Sequence, residues 1–105
     1  MAPDNEIVRK IKQGVKETDA DAQIILYGSR ALGTARKDSD WDILILVNSP
    51  SVTIKEEQVF RHRLYDVELE TGQVISTFVY SVSDWKTKMF VTPLFQNIQK
   101  EGIYL

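Results

Sequence analysis

The chain has 105 residues and a formal net charge of −2. That length fits one domain, residues 1–105, with a single core, and the acidic balance argues against broad electrostatic binding to DNA or RNA, which favours a basic surface. The absence of cysteine excludes a disulfide framework and a thiolate zinc site, and the single histidine, His62, excludes a His-rich metal site.

Met1 to Asn5 carries no basic segment followed by an apolar run, so no signal peptide is expected. From Asn5 to about Lys16, Ile7, Val8, Ile11 and Val15 recur at helical spacing and predict a surface helix, with Asp4 or Asn5 as its cap. Ile24 to Tyr27 is a short apolar run with β-branched residues, ended by Gly28, and reads as a buried strand. Ser29 to Ala35 predicts one or two helical turns with Ser29 as the cap. Ile43 to Val47 is apolar at every position, which predicts a strand covered on both faces; it is far too short to cross a bilayer. The chain therefore reads as soluble and cytoplasmic, with no membrane partner.

Between Lys55 and Thr71, Val59, Phe60, Leu64 and Val67 fit a helix face and Gly72 suits the residue after its end. Leu64 to Thr71 also alternates in part like a strand, and helix is the preferred reading. Val74 to Tyr80 predicts a third strand, rich in β-branched and aromatic residues. Ser83 is expected to cap a short helix from about Asp84. Thr92-Pro93 starts a last helix carrying Leu94, Phe95 and Ile98, which Gly102 ends before an extended tail, Ile103 to Leu105. The order predicts an α/β (α+β) domain: a small mixed sheet with flanking helices.

The chemistry lies between Gly28 and Asp42. Gly28 permits a tight turn and close approach of a ligand to the backbone. Ser29 follows with a hydroxyl and an N–H suited to phosphate, and Arg30, Arg36 and Lys37 supply nearby positive charge. Asp40 and Asp42, at i and i+2, share one face of an extended backbone. Two carboxylates so close repel, and a divalent cation removes that cost. Magnesium takes oxygen ligands and commonly sits between carboxylates and substrate phosphates.

Gly28-Ser29, ten intervening residues and Asp40-Trp41-Asp42 resemble the hallmark of the minimal nucleotidyltransferases of the DNA polymerase β-like superfamily. The surrounding elements and the close at Glu101-Gly102-Ile103 are similar to that family as well. The resemblance implies that Gly28, Ser29 and Arg30 bind the nucleotide, ATP or another NTP, and that Asp40 and Asp42 hold magnesium (or manganese). An acceptor hydroxyl would attack the α-phosphate, moving NMP and releasing pyrophosphate. It also implies an acceptor site completed by a partner or a second copy of the chain. One such partner is a small helical HEPN-type protein, as in toxin–antitoxin pairs.

The family usually adds a third carboxylate on a later strand, where this chain has Ser76. Asp66, Glu68 and Glu70 precede that strand. If Leu64 to Thr71 is a strand, all three share one face. If it is a helix, Glu70 near its end is the preferred third catalytic acid, with Glu68 next. Without that acid, the alternative is an inactive nucleotide-binding or antitoxin module.

Simpler readings stand beside these. An EF-hand loop from Asp38 would need Gly and Glu where Ile43 and Ser49 stand, and is rejected. Arg30 divides evenly between a phosphate contact and a structural pair. Arg36, Lys37 and His62 read as solvated, and Trp41, Trp85 and Tyr104 as packing residues.

Overall fold

The computed structural model describes residues 3–105, without the side chains of residues 3–5. The first helix starts at Pro3, so Asp4 and Asn5, expected as its cap, stand within it. The elements run α1 (Pro3–Thr18), β1 (Gln23–Tyr27), α2 (Ser29–Leu32), β2 (Trp41–Val47), α3 (Ile54–Thr71), β3 (Ile75–Ser81), α4 (Val82–Thr87), α5 (Pro93–Glu101) and β4 (Ile103–Tyr104). The strands form one sheet in the order β3-β2-β1-β4. β1 runs antiparallel to β2 and to β4, while β2 and β3 are parallel. The sheet is therefore mixed, as the sequence predicts. The parallel pair is joined by α3, the crossover such a pair requires.

Side-chain alternation along the strands divides the molecule into two apolar layers. Ile24 and Leu26 of β1 and Trp41, Ile43, Ile45 and Val47 of β2 face α1 and α3, packing with Ile7, Ile11, Val15, Phe60, Leu64 and Val67. Ile25, Tyr27, Leu44 and Leu46 face the other way, onto Trp85 of α4 and Ile98 of α5. The unbroken apolar run of β2 is explained by cover on both faces.

Local chemistry sets the element ends. Thr53 and Glu56 form a reciprocal capping box at the start of α3, and Gly72 closes that helix in the left-handed region. Leu64 to Thr71 is thus helix, not strand. The structure corrects three boundaries. β2 starts at Trp41 rather than Ile43, because Asp42 is already in register with Tyr27 on one side and Ser76 on the other. The cap of α4 is Ser81, fully buried, whose hydroxyl accepts from the Asp84 N–H at 3.0 Å, so the helix starts before Ser83. Ser29 is not a cap: α2 is a single turn flanked by Gly28 and Gly33, with no side-chain cap bond. The tail from Ile103 is partly a strand, paired with Ile25 and Leu26 of β1. Among the described residues no helix is long and apolar enough to cross a membrane.

Candidate functional site

β1 ends at Tyr27, directly across from Asp42 on β2. The chain then turns at Gly28, with φ 73° and ψ −156°, a backbone region essentially restricted to glycine. Space imposes the same restriction: a Cβ on Gly28 would lie 2.2 Å from Oδ2 of Asp42. Residues fourteen apart in sequence, the turn glycine and the second aspartate, are therefore in direct contact.

The loop returning to Asp40 is held from beneath. Ser39 accepts from the Arg36 N–H at 2.8 Å and donates its own N–H to the Arg36 carbonyl at 3.1 Å. Arg30 donates to the Ser39 carbonyl at 3.0 Å and to the Lys37 carbonyl at 3.3 Å. Its guanidinium also stacks on the Trp41 ring, 4.6 Å from the centroid, and Trp41 donates its indole N–H to Gln73 at 3.2 Å. These contacts tie the loop, through Arg30, to Trp41 and the α1–α3 side. Arg36 and Lys37 are exposed, as expected of solvated charges.

Asp40 is exposed and Asp42 half-buried. Desolvation pushes the Asp42 carboxyl above the usual aspartate range, and the negative charges of Asp40 and Glu101 push it further the same way. The phenol of Tyr27, on the same face, is pushed up to about 12 by burial, with smaller contributions from Asp42 and Tyr80. The structure thus brings Gly28, Ser29, Asp40 and Asp42 together at one end of the α4–α5 face.

Glu70 is not brought to them. It lies on α3, paired with Lys10 of α1 at 2.5 Å, across the sheet from Asp42. Glu68 is on that side too, where its carboxylate accepts from the first N–H of β3, at Ile75, at 2.8 Å. The helical form of Leu64 to Thr71 puts these acids on the layer that packs against Trp41, while Asp42 points the opposite way. On β3 the residue beside Asp42 is Ser76. The residue that joins the site unforeseen is Glu101, at the end of α5, which accepts from the Gly28 N–H at 3.1 Å. The packing of α5 on β1 and the β1–β4 pairing create that proximity; 73 residues separate the two.

Among the described residues no three His, Asp or Glu side chains converge as a ready-made metal cage. The donor set still suits a hard divalent cation. Two carboxylates at i and i+2 are close enough for one to raise the other's pKa, and magnesium is typically held by one or two carboxylates plus substrate phosphates. A cavity of about 480 Å³ lined by Arg61, His62, Tyr65 and Glu68 belongs to the α3–β3 side and is separate from this cluster.

Residues 8–104 match the nucleotidyltransferase domain family. No curated protein sequence matches the chain. Among solved structures, a crystal structure of a toxin-antitoxin with AMP-PNP is similar with a TM-score of 0.67 and 18% identity, over 91% of this chain and 69% of the other. At that identity the likeness is one of fold.

Proposed function

The chain belongs to the nucleotidyltransferase domain family, and on that premise we propose that it moves a nucleoside monophosphate, AMP from ATP in the first instance, onto an acceptor hydroxyl. The observation that carries this reading is the contact of Gly28 with the Asp42 carboxylate. It joins a turn suited to phosphate and a pair of acids suited to a cation into one site.

Each residue has a definite task. Gly28, lacking a side chain, lets the triphosphate approach the backbone, and Ser29 offers its hydroxyl and an N–H without an intrahelical acceptor. Asp40 and Asp42 hold the divalent cation, magnesium or manganese. When bound, that ion neutralises phosphate charge and stabilises the departing oxygens. Arg30 keeps the loop, and with it Asp40, in place through the Ser39 carbonyl. The acceptor oxygen bonds to the α-phosphorus as the α–β phosphoanhydride breaks. The electron pair of that bond leaves with pyrophosphate, and the hydroxyl proton passes to solvent or to a nearby base.

The fold likeness to a toxin-antitoxin with AMP-PNP supports a nucleoside triphosphate as donor and a protein as partner. A small helical protein of HEPN type is the acceptor that this reading favours. Ser76, standing beside Asp42 where an acid would complete the set, favours a second reading: a nucleotide-binding or antitoxin module that does not turn over.

ATP labelled at the α-phosphate, magnesium and a candidate helical partner distinguish the two. Transfer predicts label on the partner with pyrophosphate release, both abolished in Asp42→Asn. Nucleotide binding without pyrophosphate release from ATP, with any acceptor tried, would leave the binding module as the function.

A further inference from the structure

We propose that Glu101 is a positioning residue of the nucleotide site, acting through the N–H of Gly28. The inference rests on the nucleotide reading above and deepens it by naming what keeps the glycine turn in its working shape.

The C-terminal segment is seated against β1 with little freedom. A Cβ on Gly102 would lie 2.6 Å from the Ile98 carbonyl oxygen and 2.8 Å from Cγ2 of Ile25, so α5 ends in close contact with β1. Ile103 and Tyr104 then pair with Leu26 and Ile25, and the Leu105 N–H donates to the Ile24 carbonyl at 2.9 Å. This three-residue clasp places Glu101 level with the end of β1. There its carboxylate accepts from the Gly28 N–H at 3.1 Å.

That bond has a specific mechanical consequence. Gly28 is the residue with the widest conformational choice in the site, and its φ of 73° and ψ of −156° are one selection from many. Rotation of this residue would swing Ser29 away and separate the turn from the Asp42 carboxylate. An acceptor on its N–H removes that freedom before a ligand arrives, which lowers the ordering cost of binding. The acceptor is a carboxyl group close enough to Asp42 to disfavour the aspartate's charge.

The proposal separates the acceptor role from a direct role in holding a cation. Glutamine keeps an oxygen that accepts from Gly28 and removes the charge. Alanine removes both. The test measures the dissociation constant of Mg-ATP for wild type, Glu101→Gln and Glu101→Ala, with thermal unfolding of each. Hydrogen exchange of the Gly28 amide is followed in the same three proteins without ligand. The expected result is binding about tenfold weaker in Glu101→Ala, equivalent to about 1.4 kcal/mol. Glu101→Gln restores most of that loss, and the Gly28 amide exchanges faster in the alanine variant alone. Equal binding by wild type and Glu101→Ala would overturn the proposal. So would a glutamine variant as damaged as alanine, since charge rather than the amide contact would then matter. Loss of Mg-ATP binding in wild type itself would instead remove the nucleotide reading on which the proposal stands.

Discussion

On the α1–α3 face the acids are answered: Glu70 meets Lys10, Glu17 meets Arg63, and Glu68 accepts the Ile75 N–H. On the α4–α5 face Asp42 is half-buried beside Asp40 and Glu101, and its neighbours make its charge harder to keep. The apolar contents do not differ in this way: Ile11, Val15 and Leu64 on the first face and Ile25 and Leu44 on the second are buried almost completely, and on the second Phe78 of β3 stays 39% exposed. Both sides of the sheet hold the protein together. The second also gathers negative charge at one end, which a cation would relieve.

The strongest way to break this comparison is to cut into both faces and compare the cost. Leu64→Ala should lower stability by about 2–5 kcal/mol through a lost side chain and a residual cavity. Phe78→Ala should stay within about 1 kcal/mol, because the ring is already partly in water. Urea unfolding measures both, and equal losses would mean that the half-exposed ring of Phe78 packs as tightly as Leu64.

Gly28→Ala comes next. The backbone there should cost roughly 1–3 kcal/mol for any residue with a side chain, and the clash with the Asp42 carboxylate adds to it. Removing that carboxylate as well, in Gly28→Ala/Asp42→Ala, should return part of the loss. A strictly additive double variant would show that the two residues do not bear on one another.

A smaller effect concerns pH. The carboxyl of Asp42 is raised in the folded protein, so the fold binds its proton more readily than the unfolded chain does. The stability that this group contributes is present below its unfolded value of about 4 and is lost as pH rises through the higher folded value. Without magnesium, Asp42→Asn should therefore gain on wild type as pH rises from that range to neutrality. Unfolding at a series of pH values checks this, and an Asp42→Asn variant that loses ground to wild type as pH rises would contradict it.

Smallest of all is Glu70→Gln. Its partner Lys10 and the glutamate itself are partly exposed, and such pairs contribute up to about 1 kcal/mol. Mg-ATP binding should not change, because the pair lies across the sheet from Asp42. A large loss of binding would return Glu70 to the site.

Much of this arrangement is legible in the chain. The Gly28-Ser29 and Asp40, Asp42 spacing marks the candidate site because its geometry is local to one turn and one strand pair. The helical period of α1 and the capping pattern before Pro93 are local in the same way. What the sequence leaves open depends on contacts between distant segments. Glu70 was a reasonable third acid by position along the chain, but only the packing of α3 on α1 decides which layer it faces. Glu101 stands in the chain as the end of a helix. It joins Gly28 because Ile103 and Tyr104 add a strand beside β1, which no local pattern announces. Ser29 reads as a helix cap by residue type, yet Gly28 takes that place, its carbonyl accepting the Ala31 and Leu32 N–H groups.

The most direct test of the central claim is calorimetric binding of ATP, with and without magnesium, to wild type and to Asp40→Asn/Asp42→Asn. The account predicts binding by wild type that requires magnesium and is lost in the double variant while its fold is retained. Binding of equal strength by both proteins, or none by wild type in the presence of magnesium, would contradict the assignment of this face as a nucleotide site.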